Sequence, residues 1–439
     1  MKKILLISPD MINKKMAGPA IRYYNFAMEL SKDADVTLFI PNKNSDLDFS
    51  KDVFTVIKGD IEKLKDNANN TDSIVVQGIA LRLYPFLKEI NKPIVVDIYD
   101  PITLENLELR KQVKIHDRLL YHESDLDLIL EQLAFGDYFI CASEKQKDYW
   151  LGMLAALNRV NPCTYIDDAN MDKLIGVVPF GMDNKDPIKR KKVLKGVWEG
   201  IKEDDKVLIW GGGIWNWFDP MTLIEAMNSI SKERNDVKLF FMGIGHPSAN
   251  VDISVATKCI ERSKELGLYD TSIFFNDWVP YEERQDYLME ADIGVSTYFN
   301  NLETRFSFRT RILDYLWCDL PMVLTEGDFM ADMLKREKIG LCHREGNYEE
   351  LKDAIIHLLD NESMYKEYKN NIGSIKEEFR WANVVNPLKK FCMSPYISVD
   401  KVNKVKIFYN NGDVSKFQYY YVRIKNKLKS IIKKILRWK

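Results

Sequence analysis

The residues best suited to chemistry stand in loops that follow short apolar runs. One such loop lies in WGGGIWNWFDP, residues 210–220, where Gly211, Gly212 and Gly213 come in succession before a helical pattern. Successive glycines cost backbone entropy but let a ligand approach the main chain, and exposed N–H groups before a helix favour an anion such as phosphate. Trp215 and Trp217 either stack on a sugar or close a domain interface. We expect Gly212, Gly213 and both tryptophans to contact a substrate.

A cluster of arginines forms the second group of candidates. Arg305, Arg309 and Arg311 stand close together, after an apolar run and before a helical pattern. The planar guanidinium group matches phosphate oxygens, and a helix N-terminus adds a favourable dipole. Solvated surface arginines are the alternative interpretation, but the position after a predicted strand favours phosphate binding. Glu303 and Asp314 flank the cluster.

Polar residues also follow predicted strands in the first half of the chain. Tyr99 and Asp100 come after an apolar run, and we interpret them as catalytic candidates. A turn before Pro101 is the alternative role for Asp100. Gly18 and Arg22 stand at the entry of the first predicted helix, where Gly18 either brings the backbone close to a substrate or only begins the helix.

The sequence carries no strong metal or dinucleotide motif. GxGxxG is absent after the first predicted strand, and Gly243 belongs only to a GxG, a weak signal that we assign to substrate binding. The D-x-D matches at 46–48 and 125–127 do not follow a buried strand, so we treat them as chance. The six cysteines are scattered and the five histidines form no ligand cluster. We therefore expect no metal, no bound cofactor and a reducing, cytoplasmic compartment.

The elements that must hold these residues are predicted from hydrophobic patterning. Apolar runs alternate with amphipathic stretches, which indicates an α/β fold with parallel sheets covered by helices. Ligands bind beyond the carboxyl ends of such strands. The alternation restarts after the charged stretch 183–205, the best linker candidate, so the sequence predicts two Rossmann-like domains. The predicted strands are 4–7, 36–40, 73–76, 94–97, 138–141, 175–178, 207–210, 238–242, 273–275, 293–296 and 322–324, and the predicted helices are 20–32, 125–134, 220–231, 254–266, 281–291, 309–317, 348–359 and 374–391.

Length and charge set the predicted domain organisation. The 439 residues are 46% hydrophobic, enough for two or three domains, and no apolar run is long enough to span a bilayer. The predicted parts are domains at 1–185 and 186–377, a crossover helix at 378–392 that packs on the first domain, and a basic tail at 393–439. Residues 414–439 contain nine Lys or Arg and no acid. The rest of the chain is acidic, which argues against nucleic-acid binding.

The basic tail has an amphipathic pattern. Apolar residues recur at helical spacing from Tyr421 to Trp438, with Lys and Arg on the other faces. This pattern predicts that residues 419–439 bind an anionic membrane surface, each basic residue contributing roughly 1 kcal/mol. A helix that packs on a partner subunit is the alternative. We favour peripheral attachment to the cytoplasmic face of a membrane, because a terminal Trp and uniformly positive charge suit that interface.

Several stretches together resemble the GT-B glycosyltransferases, and among them glycosyltransferase family four, also called group 1. VVPFGMD, FMGIGHP and LDYLWCDLPMVLT resemble the family's exit from the first domain, its glycine turn and its LEAMACGxPVVAT stretch, and FFNDWVPYEERQDYLMEADIGVST resembles the stretch that leads to the donor site. The likeness covers about residues 1–390. It implies two Rossmann-like domains facing across a cleft. The first would bind the acceptor and the second a nucleotide-diphosphate sugar, usually without a metal.

The chain departs from this family where the donor diphosphate is expected. The family commonly carries an Arg and a Lys after the first strand of the second domain, and these positions fall on Gly213 and Phe218. We expect Arg309 and Arg311 to supply the positive charge instead.

The acids and the catalytic loop also differ from the family pattern. Asp314 matches the family's second acid, which would hold the ribose, and Glu303 is the nearest substitute for the first acid. The family's catalytic-loop His falls at Tyr99. The resemblance implies a reaction that retains the anomeric configuration of the sugar. This expectation depends on the positions at which the chain differs from the family.

The leading functional hypothesis is a membrane-associated transferase that moves a sugar from a nucleotide-diphosphate sugar to a glycan acceptor. We expect this acceptor to be lipid-linked and to belong to bacterial-type cell-surface polysaccharide synthesis. Glu303 or Asp100 would position the acceptor hydroxyl. Other glycosyltransferases are candidate protein partners. One alternative is a nucleotide-sugar epimerase of the same fold, although a soluble metabolite needs no membrane anchor. The other is a non-catalytic scaffold subunit of a polysaccharide assembly complex, which the absent Arg and Lys favour.

Overall fold

The chain folds into two compact units. The computed structural model describes residues 1–14, 16–244 and 253–409. Among these residues, the first unit contains those of Met1–Val178 and those from Pro387 to Tyr409, and the second contains those of Pro179–Asn386. The sequence predicted domain boundaries after residues 185 and 377, whereas the two units of the structure meet after Val178 and after Asn386.

A parallel sheet forms the centre of the first unit. Its strands are β1 (Lys3–Ile7), β2 (Asp35–Ile40), β3 (Thr55–Lys58), β4 (Ser73–Gln77), β5 (Ile94–Asp97), β6 (Tyr138–Cys141) and β7 (Ile175–Val177). They are ordered β3-β2-β1-β4-β5-β6-β7, and every pairing is parallel. Strands β1, β4, β5 and β6 are almost wholly buried, which explains why they read as continuous apolar runs. The sequence missed β3, an edge strand with exposed ends.

Helices cover this sheet and connect its strands. They are α1 (Gly18–Leu30), α2 (Ile61–Asn70), α3 (Ala80–Leu83), α4 (Ile102–Leu109), α5 (Ile115–Phe135), α6 (Glu144–Ala156) and α7 (Pro162–Asp167), with a 3-10 turn at Pro85–Lys88. Helix α5 begins ten residues before the predicted start of 125, because its first half lacks the buried face from which the prediction was made.

The second unit contains a six-stranded parallel sheet. Its strands are β8 (Lys206–Trp210), β9 (Val237–Phe241), β10 (Ile273–Phe275), β11 (Ile293–Ser296), β12 (Met322–Thr325) and β13 (Gly340–His343). They are ordered β10-β9-β8-β11-β12-β13. The sequence missed only β13, again at a sheet edge. The order and parallel pairing confirm the α/β fold with two Rossmann-like halves.

Helices also surround the second sheet. They are α8 (Pro220–Ser231), α9 (Ser254–Glu265), α10 (Arg284–Leu288), α11 (Leu302–Phe306), α12 (Arg311–Trp317), α13 (Phe329–Glu337), α14 (Tyr348–Asp360), α15 (Glu362–Ile375) and α16 (Trp381–Val384), with 3-10 turns at Tyr281–Glu283 and Lys376–Phe379. The chain then enters α17 (Asn386–Met393) and α18 (Val399–Val402). The single helix predicted over 374–391 is therefore divided into several short segments.

The predicted linker 183–205 is attached to the second unit. The Glu290 carboxylate accepts hydrogen bonds from the backbone N–H groups of Leu194 and Lys195 at 2.7 and 3.0 Å. The Asp286 carboxylate accepts one from the Arg190 N–H at 2.7 Å. The density of charge in the sequence indicated solvent exposure, but Lys189 and Arg190 also form ion pairs with the buried carboxylates of Glu290 and Asp286 at 3.0 and 3.4 Å. This corrects the interpretation of the stretch as a free linker.

The carboxyl-terminal segment belongs to the first unit. Asp400 on α18 forms an ion pair with Arg159, with Nε and Oδ2 2.6 Å apart and both side chains fully buried. The predicted membrane-binding stretch 419–439 lies outside the described residues. Among the residues that the structure describes, no helix is both long and apolar enough to cross a membrane.

Candidate functional site

The glycine loop at the carboxyl end of β8 has one open position. The Gly211 N–H donates to the Tyr315 hydroxyl at 2.9 Å, which fixes the start of the loop. Gly212 has a φ of +80°, and no heavy atom lies within 4 Å of the place where its Cβ would stand. At Gly213 a Cβ would meet the Trp215 ring at 3.3 Å. Gly212 therefore combines a backbone conformation that favours glycine with free space for a ligand.

Arg311 lies beside this loop with an incomplete set of partners. Its Nη2 donates to the Gly213 carbonyl at 2.8 Å, and its guanidinium lies 3.9 Å from the Phe218 ring centre and 4.9 Å from that of Trp210. The buried Nη1 has no hydrogen-bond acceptor among the described residues. Burial, followed by the neighbouring Arg309 cation, lowers the pKa of Arg311 to about 10. The group stays charged at neutral pH and is arranged to receive an anion.

Arg311 contacts both positions where the resemblance expects cations. Those positions are occupied by Gly213 and Phe218, which carry no charge. Arg311 bonds to the first through its carbonyl and stacks on the ring of the second. A guanidinium group from α12 thus lies against the backbone and ring of two residues that replace the family's Arg and Lys.

Arg309 and Glu303 are paired with each other. Arg309 Nη2 and Nη1 lie 2.8 and 3.2 Å from Glu303 Oε2 and Oε1, and both side chains are buried. The Ser307 hydroxyl also donates to Glu303 Oε1 at 2.6 Å. The sequence expectation treats both as groups available to substrates, and this geometry does not support it. We therefore reassign the pair to holding the segment that carries Arg311.

Asp314 lies one helical turn after Arg311 on α12. Its Oδ1 accepts a hydrogen bond from Arg284 Nε at 2.9 Å, and its side chain is about one-third exposed. Arg284 is held between the rings of Tyr281 and Trp317, at 3.7 and 4.4 Å from their centres. Asp314 is thus oriented and accessible, as a residue that binds a ribose hydroxyl must be, and that role stays a prediction.

The remaining candidates of the second unit are aromatic or glycine residues near strand ends. Trp215 and Trp217 are half-buried and stack with their ring centres 5.8 Å apart. Gly243 follows β9, and a Cβ there would come within 3.0 Å of the Trp278 ring. Gly243 therefore permits close packing of an aromatic ring, and its assignment to substrate binding stays a prediction.

Asp100 is the strongest candidate of the first unit. It follows β5, and Gln77 at the end of β4 donates to its Oδ2 at 3.5 Å. Burial, then the carboxylates of Glu105 and Asp97, hold the pKa of Asp100 well above its ordinary value. A carboxyl group whose charged form is disfavoured at a strand end is suited to proton transfer. Gln77 was missed because the predicted strand ended at Val76.

Tyr99 is buried beside Asp100. Burial, with the Asp100 carboxylate, also raises the pKa of its phenol well above the ordinary value. The Arg22 guanidinium lies 4.6 Å from the centre of its ring. Tyr99 packs against the Arg22 ion pair, and a catalytic role for it stays a prediction.

Arg22 is a structural residue rather than a substrate contact. Its side chain is 0% exposed, with Nε 2.7 Å from Asp97 Oδ2 and Nη2 2.8 Å from the Val178 carbonyl. A group so enclosed cannot touch a substrate without breaking a buried ion pair, which corrects the sequence expectation. Gly18 begins α1, and no atom lies within 4 Å of its missing Cβ, so space for a substrate exists there.

Comparison with known proteins gives a family match in the second unit. Residues 205–361 match the sequence model of the family described as "Glycosyl transferases group 1". An uncharacterized glycosyltransferase of Methanocaldococcus jannaschii is 24% identical over 205 residues, which are 44% of this chain and 48% of that protein. The chain thus spans about half the length of this relative.

Solved structures share the fold of about nine-tenths of the chain. HepE of Anabaena, in complex with UDP and glucose, has a TM-score of 0.63 at 15% identity, over 90% of this chain and 100% of that one. Sucrose-phosphate synthase of Thermosynechococcus elongatus has a TM-score of 0.62 at 14% identity, over 89% of this chain and 98% of that one. Residues 205–361 are therefore similar in sequence to the group 1 glycosyltransferases, and the solved structures show that the chain shares their GT-B fold.

Proposed function

We propose that the chain transfers a sugar from a nucleotide-diphosphate sugar to the hydroxyl group of a glycan acceptor. The observation that carries this proposal is the unpartnered Nη1 of Arg311, held against Gly213 and Phe218 at the end of β8. A diphosphate is the anion that completes such a group, since arginine binds phosphate oxygens in a forked geometry. HepE, which has the same fold, is solved with UDP and glucose.

In this proposal Arg311 stabilises the leaving group. The bond between the sugar and the nucleotide diphosphate breaks, and negative charge develops on the diphosphate as the acceptor oxygen bonds to the sugar. A fixed cation is worth most where water is excluded, and Arg311 is partly buried. The open position at Gly212 leaves room for the phosphate beside this cation. We propose no metal for the reaction.

The first unit would bind the acceptor. Of the two acids expected to position the acceptor hydroxyl, Glu303 is occupied by Arg309, whereas Asp100 has a raised pKa at a strand end. A raised pKa makes the ionised carboxylate a stronger base, so we assign the proton from the acceptor hydroxyl to the ionised form of Asp100. Retention of the anomeric configuration follows from the family resemblance and is part of the proposal.

The acceptor would be a lipid-linked glycan in cell-surface polysaccharide synthesis, handled at the cytoplasmic face of a membrane. The basic amphipathic sequence at 419–439 supports this assignment, since Lys and Arg beside apolar residues favour anionic lipid. The fold itself is neutral on the acceptor, because one of its members is a sucrose-phosphate synthase.

The donor site is tested by thermal shift with UDP, GDP, dTDP and CMP and their sugars. We expect one nucleotide to raise the melting temperature of the wild type, because a ligand at a hundred times its Kd adds about 2.7 kcal/mol to folded-state stability. In Arg311→Met, which keeps the apolar packing on Phe218 but not the charge, this rise should largely disappear.

Arg305→Ala is the matched control, because Arg305 belongs to the same cluster but is exposed. It should respond to the nucleotide like the wild type. An equal rise in Arg311→Met would remove Arg311 from the diphosphate site. No rise with any nucleotide would favour the scaffold subunit. With the donor identified, a product that carries an epimerised sugar without transfer would favour the epimerase.

A further inference from the structure

The first half of helix α5 has no buried residue. Every residue from 115 to 127 is at least partly exposed, whereas the helix is mostly buried from Leu128 onward. The exposed half carries large apolar side chains, and Ile115, Leu119 and Leu126 are 68%, 54% and 36% exposed. Single exposed apolar residues are normal on a protein surface, but several on one helix mark an interaction site.

The exposed apolar residues lie on one stripe of the helix, which we call the α5 stripe. It consists of Ile115, Leu119, His122 and Leu126, at intervals of four, three and four residues, the spacing of a helix that packs lengthwise on a second helix. The next position, Ile129, is packed in the core of the first unit. The unit itself therefore covers one end of the helix face, and the α5 stripe stays uncovered for about 16 Å.

Helix α4 borders one side of the α5 stripe. Its Arg110 donates through Nη1 to Asp125 Oδ2 at 2.5 Å, which ties the two helices together. Leu107 lines a small cleft together with Arg118 and His122. Because Leu107 is 38% exposed, it extends the apolar surface from the α5 stripe onto α4.

Charged side chains flank the α5 stripe in a definite order. His116 and Arg118 lie on its two sides in the first half, and Glu123 and Asp125 lie on the same two sides in the second half. Asp117 also belongs to the first half, but helical spacing puts it on the opposite face. Basic groups therefore flank one end of the stripe and acidic groups flank the other.

This order of charges is complementary to itself. When the stripes of two copies lie antiparallel, Leu119 of each copy meets His122 of the other, and each basic end lies beside an acidic end. Parallel helices would put like charges at the same level and lead the second helix towards the core at Ile129. A uniformly charged partner would attract one end of the stripe and repel the other. The surface thus matches a second copy of the same chain.

We propose that the α5 stripe is a self-association surface, through which two copies of the chain pair antiparallel about a two-fold axis between Leu119 and His122. About three turns of each helix take part. Interfaces of this small size belong to transient complexes, so the association is weak and depends on protein concentration.

Self-association is tested by sedimentation velocity of the full-length protein from about 1 µM to about 100 µM. We expect the average mass of the wild type to rise with concentration towards that of a dimer. Leu119→Glu should raise the Kd of the dimer by about tenfold or more, because it places a carboxylate in the apolar contact. Ile166→Glu is the control, since Ile166 is 85% exposed on α7, and its Kd should equal that of the wild type.

Reversing single charges tests the antiparallel arrangement. His116→Glu puts an acid beside Glu123 of the second copy, and Glu123→Lys puts a base beside its His116. Each variant alone should have a Kd about two- to fivefold higher than the wild type. An equimolar mixture of both variants should associate more tightly than either alone, because the acid introduced in one then faces the base introduced in the other.

Three results would overturn the proposal. The first is a wild type that stays monomeric at every concentration, and the second is an unchanged Kd in Leu119→Glu. The third is a mixture of the two charge variants that associates no better than each variant alone. A monomeric wild type that binds lipid vesicles, and loses this binding in Leu119→Glu, would assign the stripe to a membrane instead. Association is measured without any substrate, so it is independent of the proposed function.

Discussion

At the scale of single residues, Asp100 gives the clearest pH dependence. Its pKa is raised in the folded protein, so the folded state keeps the proton at pH values where the unfolded chain has lost it. Stability should therefore fall as pH rises above the ordinary value near 4. Asp100→Asn cannot titrate, so its melting temperature should fall less than that of the wild type as the pH rises above about 4.

The same substitution tests catalysis. If Asp100 takes the acceptor proton, Asp100→Asn should lower the transfer rate by roughly a hundredfold or more and keep the donor-induced thermal shift, which depends on the second unit. Asp66→Asn, an exposed acid on α2, should match the wild type in both measurements. A parallel pH profile for Asp100→Asn would show that Asp100 is ionised in the folded protein.

At the scale of elements, the loop after β8 and the entry of α1 both contain glycine, but for different reasons. Gly212 has a positive φ, whereas Gly18 begins a helix with open space around it. Gly212→Ala should therefore cost about 1–3 kcal/mol through backbone strain, although the space for a methyl group exists. Gly18→Ala should leave stability unchanged or raise it slightly.

Urea unfolding of both variants measures this difference, and the donor response of Gly212→Ala shows whether the loop shape also matters for the diphosphate. Equal midpoints would mean that residue 212 reaches a right-handed conformation at little cost. The three successive glycines would then have to be explained by ligand access alone.

At the scale of the whole molecule, the carboxyl-terminal segment completes the first unit. The buried ion pair between Arg159 and Asp400 joins residues far apart in the sequence, and Arg159 Nη1 also donates to the Leu133 carbonyl at 2.6 Å. Asp400→Ala would leave Arg159 buried and unpaired, which should cost about 3–5 kcal/mol. Hydrogen exchange of peptides from the first unit, followed at increasing urea concentration, measures this loss as a lower urea midpoint for the loss of protection.

Asp360→Ala is the matched control, because Asp360 pairs with Arg234 at an exposed site. It should leave the exchange midpoint close to that of the wild type. If Asp400→Ala behaved in the same way, the segment from Pro387 would be an appendage rather than part of the first unit.

The sequence alone determined the architecture. Parallel strands buried on both faces must be apolar throughout, so β1, β4, β5 and β8 were visible as apolar runs. The two strands that it missed, β3 and β13, lie at sheet edges, where half-exposed positions break the run. Because ligands of such folds bind at strand ends, the sequence also located the loops that contain Gly212, Arg311 and Asp100.

Only the tertiary structure decided which charged groups are free to act. Arg22 was a substrate candidate in the sequence, but Asp97, 75 residues away, neutralises it in the core. Glu303 pairs with Arg309 and leaves Arg311 without a carboxylate among the described residues. Local patterning reports burial and element type, because both depend on neighbours in sequence. Pairing depends on distances between side chains that the fold brings together, and those distances are not encoded in any local stretch.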